Sequence, residues 1–431
     1  MMAQTYPEVG ETLHDVTLPN GLRVLIVPKP DYHETYALFA VNYGGIDVRY
    51  VPAGETEMVE DPAGIAHFLE HKLFEKADHD AFDLFGATGA SSNAFTGANT
   101  TAYLFSTSRA VAENLTTLLD FVQDPYFTDK TVAKEKGIIG QEIQMYQDTP
   151  GWRLYYGLLG NLYPTHPVAQ DVTGTLASIA EITPAALHRA YRTFYQPSNM
   201  TLTVVGNVDP QKTLDLIAAN QAAKTFAPAT PITRGVAPDY DVATILPYRS
   251  LSLPVARPKA AVAIKGQRPV KDDQAGTRFQ VAVRLLLEML FGDSGALYQD
   301  WYDQGLIDDS FDCDYQAGAT YNFLTFAGDT EDPQALSDAL VAVIAKGADQ
   351  VLDPARFARL KQAGLGKYYQ GMNALDSMAN QLSTQSFTAV NAFELAGVMR
   401  DVTLDDLHQA AGQLFDLDAV TVCHVFPEVG A

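Results

Sequence analysis

Along the first 221 residues the apolar positions repeat with a period of two, then near 3.6, then two again, and each change of period marks a new element. Residues 22–27 and 36–43 read as strands, followed by helices over 64–77 and 79–87. Strands 91–96 and 101–107 come next, then helices 110–123, 128–147, 152–162 and 184–194, with 201–205 as a closing strand. Residues 222–253 break the pattern. They hold Pro228, Pro231, Pro238 and Pro247, show little helical periodicity and read as a linker. Beyond them the same succession returns: strand 260–264, helices 275–291 and 294–304, strands 310–317 and 321–328. Helices 333–347, 354–370, 373–388 and 403–414 follow, and 419–425 closes the series as a strand. This repetition predicts an α+β chain of two homologous domains, each a mostly antiparallel sheet backed by helices. The expected division is a domain over 1–221, the linker 222–253 and a second domain over 254–431.

Composition agrees with two large cores, since 431 residues exceed what one ordinary core holds and 47% of them are hydrophobic. Acids outnumber Lys and Arg by 52 to 29, for a net charge of −23. Such a field repels nucleic acid and anionic membranes, so neither is expected as a partner. A solvated acidic surface is the plain reading, although acids lining a cavity would favour cationic peptides. Two cysteines, Cys313 and Cys423, are too few for a disulfide framework and predict free buried thiols in a reducing compartment. The first residues show neither a basic nor an apolar leader pattern, and no apolar run reaches the length of a membrane span. A cytoplasmic location is the resulting expectation.

Chemistry enters with His67-Phe68-Leu69-Glu70-His71, set in an apolar run with helical spacing. Residues i and i+4 share a helix face, so the two imidazoles project together, with Glu70 on nearly the same face. Two neutral nitrogen ligands and a carboxylate that accepts a proton are what a zinc hydrolase needs, once a third ligand arrives from elsewhere. The order H-x-x-E-H inverts the commoner zinc-protease helix. Taken alone, the pentad is equally compatible with two ordinary half-buried histidines. The helix over 128–147 changes that balance: Glu135 and Glu142 stack two turns apart on one face, with Ile139 and Ile143 directed to the core. One of the two carboxylates can ligate a metal while the other hydrogen-bonds a ligand. The remaining candidates read as structural: His79 as a helix-start residue, His166 as a loop hydrogen-bonder, and Asp293 or Ser294 as a helix cap. Asp308 and Asp309 would lie on opposite faces of a strand rather than form a dyad.

The pentad and the later E-x-x-I-I-x-x-E-I-x-M helix together resemble peptidase family M16, the family of pitrilysin, insulin-degrading enzymes and mitochondrial processing peptidases. The stretches at 121–127 (FVQDPYF), 146–150 (YQDTP) and 163–167 (YPTHP) are similar as well. The wording is nearest the bacterial YmfH-type branch, which often carries a label linking it to modification of elongation factor P. Carried over by position, the resemblance implies an M16/LuxS-like metallohydrolase fold and one Zn2+ per chain, bound by His67, His71 and Glu142. It makes Glu70 the catalytic base and Glu135 the supporting carboxylate of the catalytic set. It also implies that Asn93, Ala94 and Phe95, in a run of small residues bounded by Gly89 and Gly97, pair with a peptide substrate along an edge strand.

One departure stands out. Self-sufficient members of the family look as though their second half supplies an Arg and a Tyr flanking a Gly-Leu. Here Trp301 and Asp308 occupy those positions around Gly305-Leu306, and no arginine occurs between Arg284 and Arg356. A carboxylate cannot stabilise an oxyanion. The resemblance therefore implies a zinc-dependent endopeptidase completed by a related M16 subunit that lacks the zinc helix but provides the Arg and Tyr, or else a chain that works alone or as a homodimer with reduced or altered activity. The alternative is a non-catalytic assembly or scaffold subunit, against which the intact pentad and both helix carboxylates argue.

Overall fold

The computed structural model describes residues 2–428. In chain order, the first part contains strands β1 (Met2–Tyr6), β2 (Glu11–Thr17), β3 (Arg23–Pro28), β4 (Thr35–Val41), β5 (Arg49–Val51) and β6 (Val59–Glu60). Helices α1 (Ile65–Phe74) and α2 (Ala81–Thr88) lead to strands β7 (Ser91–Thr96) and β8 (Thr101–Thr107). Then come helices α3 (Val111–Val122), α4 (Asp129–Gln147), α5 (Pro150–Leu162), α6 (Leu176–Ala180) and α7 (Pro184–Phe194). Strand β9 (Met200–Gly206), helix α8 (Pro210–Ala222) and strand β10 (Thr233–Arg234) end this part.

The second part runs β11 (Tyr248–Leu253), β12 (Lys259–Lys265), α9 (Gln274–Phe291), α10 (Ala296–Asp303), β13 (Asp312–Ala317) and β14 (Asn322–Asp329). Helices α11 (Pro333–Ile344), α12 (Pro354–Gly371), α13 (Leu375–Gln385), α14 (Leu395–Asp401) and α15 (Leu404–Leu414) follow, and β15 (Val420–Pro427) closes the chain's regular structure.

Two compact units result, and neither is one continuous stretch. The first takes the chain up to Ile143, Asp171–Val236 and Tyr368–Phe393; the second takes Gln144–Gln170, Ala237–Lys367 and the chain from Glu394 on. Each unit thus holds one helix from the other half of the sequence: α13 in the first and α5 in the second.

In the first unit a seven-stranded sheet has the order β1-β2-β3-β9-β4-β8-β7, antiparallel except for the β3–β9 pair. Every residue of β4 and β9 is buried, so both faces of the sheet centre must be covered. Side chains alternate between faces. Ala37, Phe39 and Val41 join the main core with Phe68, Leu69, Leu118 and Leu187 from α1, α3 and α7. The intervening positions face α13, where Ser383 Oγ lies 2.8 Å from Thr203 Oγ1 and Asn380 Nδ2 reaches the Tyr36 hydroxyl at 3.4 Å.

The second unit repeats the plan with a five-stranded sheet, β11-β15-β12-β14-β13, in which only β11–β15 is parallel. Helix α5 packs on it through Asn161, whose amide donates to Thr421 Oγ1 at 3.0 Å, and the following Tyr163 donates to Asn322 O at 2.7 Å.

Most expected elements match, β7 and β8 residue for residue. The differences have local causes. β1 and β2 are a hairpin of largely polar strands turning at Gly10 (φ 71°), too polar for a periodicity reading. Within the expected linker, β11 alternates half-buried and exposed residues, a strand signal masked by the prolines around it. Asp80, not His79, caps α2 by accepting from Phe82 N at 2.9 Å, and His79 pairs instead with Asp78. Helix α10 starts at Gly295 with no side-chain cap, so neither Asp293 nor Ser294 has the expected role. Asp308 and Asp309 lie in a turn rather than a strand; Asp308 receives Arg257 and Ser310.

Candidate metal centre

Helix α1 begins on Gly64 in the left-handed region (φ 89°), where a Cβ would stand 2.5 Å from the carbonyl oxygen of Thr173. That close approach seats the helix deep in the first unit, and nine of its ten residues are buried. A helix apolar nearly all round is expected there, yet three ionisable side chains, His67, Glu70 and Lys72, are buried with it. Lys72 is neutralised by Glu75. His67 and Glu70 point elsewhere.

Helix α4 supplies the facing groups. Val132, Glu135, Ile139 and Ile143 form its buried stripe at spacings of three and four residues, and Glu142 lies half-buried beside them. His67 Nε2 stands 3.7 Å from Glu142 Oε1, and His71 Nε2 stands 3.5 Å from Glu142 Oε2. The candidate ligand atoms of these three residues all lie within 4.8 Å of one another, the one such group among the described residues. These separations exceed a hydrogen bond and approach the roughly 3.4 Å between donors that tetrahedral bonds of about 2.1 Å would impose. His71 Nδ1 donates to Glu135 Oε1 at 3.0 Å, which fixes the ring tautomer and turns Nε2 toward Glu142.

Electrostatics point the same way. Burial and the neighbouring His71 push the His67 pKa down to about 3, so this imidazole is neutral, as a metal ligand must be. Burial also lowers the pKa of His71, but the Glu135 hydrogen bond and the charges of Glu70, Glu135 and Glu142 outweigh it and leave the value raised. The three carboxylates Glu70, Glu135 and Glu142 thus favour positive charge at this imidazole. A divalent ion would answer the same need, and the donor set of two imidazoles and one carboxylate suits zinc.

Glu70 is pushed up to about 7, first by burial and then by Glu142, against the opposing effects of Thr96 and His71. Its Oε2 accepts the Thr96 hydroxyl at 2.5 Å. Sequence reasoning did not single out Thr96. The available signal was its parity: residues 92, 94 and 96 share the more buried face of β7, the strand that α1 packs against.

Asn93, Ala94 and Phe95 sit in the middle of β7, which ends the sheet and, among the described residues, pairs only with β8. Asn93 and Phe95 are exposed and Ala94 half-buried, while Asn93 Oδ1 accepts the Ala94 amide at 2.9 Å. The five residues His67, Glu70, His71, Glu135 and Glu142 are therefore brought together, and the three strand residues lie on the adjoining free edge. His166, expected in a structural role, accepts the Val168 amide and contacts Thr320 Oγ1 at 3.0 Å.

Known proteins resemble this chain in sequence and fold. Residues 49–176 match the family described as insulinase (peptidase family M16), and residues 181–363 match that described as peptidase M16 inactive domain. The chain is 41% identical over 423 residues to the uncharacterized zinc protease YmfH of Bacillus subtilis (strain 168), covering 98% of each. The putative zinc protease AlbF of the same organism is 32% identical over 197 residues, 45% of this chain and 46% of that protein. Among solved structures, a putative M16-like peptidase from Alicyclobacillus acidocaldarius superposes with a TM-score of 0.93 at 33% identity, over 97% of this chain and 99% of that one. A protease from Helicobacter pylori, 20% identical, has the same fold with a TM-score of 0.81, over 96% of this chain and 99% of that one. Among the described residues, no helix is long and apolar enough to cross a membrane.

Proposed function

The chain belongs to peptidase family M16, and from that membership we propose that it is a zinc-dependent endopeptidase acting on peptides or short unfolded segments. One zinc ion per chain is held by His67, His71 and Glu142; the observation that carries the reading is the convergence of their donor atoms within 4.8 Å. In sequence, 1–221 is the catalytic half and 254–431, beyond the linker 222–253, the M16-like half without the Arg and Tyr, although α5 and α13 each pack in the unit of the other half.

Zinc would supply Lewis acidity and lower the pKa of a bound water from about 15.7 towards about 7. The chain's own groups do the rest. Glu70, with one oxygen held by Thr96 and a pKa near neutrality, takes a proton from the attacking water and returns it to the leaving amine. Glu135 keeps the proton of His71 on Nδ1, so the Nε2 lone pair stays directed at the cluster. The free edge of β7, around Asn93, Ala94 and Phe95, holds the peptide by main-chain hydrogen bonds, which are indifferent to sequence.

A related M16 subunit completes the site. Trp301 is 6% exposed and packed with Phe291 and Phe311, and Asp308 is neutralised by Arg257 at 2.5 Å, so neither position offers a donor to a developing oxyanion. Two free cysteines agree with a reducing, cytoplasmic compartment. The inactive-domain description of residues 181–363 favours a second reading, a non-catalytic assembly subunit. One experiment separates them: zinc-loaded chain is incubated with an unstructured peptide library, alone and with a related M16 chain lacking the pentad. Slow cleavage alone and a restored rate in the mixture is the expected result. Full activity of the isolated chain would remove the partner from the account, and no cleavage in either arm would favour the assembly subunit.

A further inference from the structure

The second unit carries a cavity of about 440 Å³ between the start of α9, the segment leading into it and the end of α15. That volume lies within the usual range of small-molecule sites, roughly 300–1,000 Å³. Its charge is unusual for this molecule. Arg268, Lys271 and Arg278 line it against a single carboxylate, Asp406, in a chain whose net charge is −23. Asp406 is already engaged: Arg278 holds it through Nε at 3.1 Å and Nη2 at 2.6 Å. Neither Arg268 nor Lys271 has a salt-bridge partner among the described residues, and both are exposed. Phe279, Ala282 and Leu414 give the cavity an apolar wall.

The segment presenting the two free cations is pinned. Gly266 N donates to Asn322 O at 2.7 Å, and the buried Asn322 amide donates to Arg268 O at 2.8 Å. Gln267 Nε2 reaches Asp416 at 2.6 Å. At the other end Gly276, in the first turn of α9, comes so close that a Cβ there would stand 1.8 Å from Lys271 O. The backbone between Gly266 and Lys271 is thus fixed from both sides, which reduces the ordering that a ligand must impose.

We propose that this cavity binds a small organic anion, a carboxylate or phosphate head group on an apolar body. The head group meets Arg268 and Lys271, with Arg278 held in place behind them by Asp406, and the body lies against Phe279, Ala282 and Leu414. Guanidinium and ammonium donors form charge-assisted hydrogen bonds to either head group. Nothing in this assignment depends on the metal centre.

The test is titration calorimetry on the full chain with phenyl phosphate, N-acetylphenylalanine and, as an uncharged control, N-acetylphenylalaninamide. Saturable binding of one or both anions, with none of the amide, is expected, and the stronger anion identifies the head group. The double variant Arg268→Ala/Lys271→Ala should lose on the order of tenfold or more in affinity while its unfolding temperature stays at the wild-type value, because both side chains are exposed and unpaired. Absence of saturable binding by either anion, equal binding of the amide, or undiminished binding by a folded double variant would each overturn the assignment.

Discussion

The two units use one plan and place different side chains on it. In the first, the helix after the opening strands, α1, buries His67, Glu70 and Lys72; in the second, the buried residues of the corresponding α9 are all apolar or glycine. Helix α4 brings Glu135 and Glu142 to the histidines, whereas its counterpart α12 contains no acidic residue at all. The free-edge strands differ too. β7 reads SSNAFT and carries no charge; β13 reads DCDYQA, with Asp312 and Asp314 exposed on the free edge. Burying an ionisable group without a partner costs several kcal/mol, so such groups persist on a core helix only where something answers them. Charge on an edge strand discourages another chain from adding to it. The contrast places the partnered buried ionisable groups and the uncharged free edge in the first unit, as the proposed chemistry requires.

The largest expected break of this contrast is Glu70→Gln. Loss of a general base typically costs 10²–10⁴-fold, and turnover should fall by about that much while zinc content is unchanged. A near-normal rate would take Glu70 out of the base role. Next come the α4 carboxylates. Glu135→Ala removes the acceptor for His71 and should weaken zinc about 10–100-fold, the usual effect of losing an outer hydrogen-bond partner. Glu142→Gln should weaken it more. If competition with a chelator gave the reverse order, the two carboxylates would exchange roles.

The edges can be made alike. Ser91 and Asn93 stand at the register positions of Asp312 and Asp314, counted from the paired strand ends at Thr96–Thr101 and Ala317–Asn322. Ser91→Asp/Asn93→Asp should therefore raise KM for peptides several-fold without lowering zinc content. An unchanged KM would remove β7 as the docking edge.

The smallest effect is on stability. Folded-state pKa values of both His71 and Glu70 are raised, Glu70 to about 7. Groups raised in this way stabilise the fold at pH values below their unfolded pKa, and that contribution is lost as pH rises through the folded value. Metal-free protein should accordingly melt at lower temperature on the alkaline side of about pH 7 than on the acid side. Zinc bound at Nε2 would compete with a second proton on that nitrogen of His71, so the increase in melting temperature on adding zinc should grow with pH. A pH-independent increase would contradict the proposed competition.

Much of the centre was legible because its residues are related by helix arithmetic. An i/i+4 histidine pair and two glutamates seven apart need only the assumption of two helices, and both helices form at the expected places. Thr96 was not legible, since its contact with Glu70 runs from a strand to a helix and depends on how α1 packs against β7. Helices α5 and α13 were read as helices, but chain order says nothing about which sheet a helix will cover. Their membership in the opposite units arises from packing alone. The cavity beside α9 was equally invisible, being made by residues from 267 to 414 that share no local pattern.

Zinc stoichiometry tests the central claim most directly. Metal content of the purified chain, measured after zinc loading and dialysis, should be one ion per chain for the wild type and close to none for His67→Ala/His71→Ala. A wild type that retains no zinc, or a folded double variant that retains as much as the wild type, would contradict it.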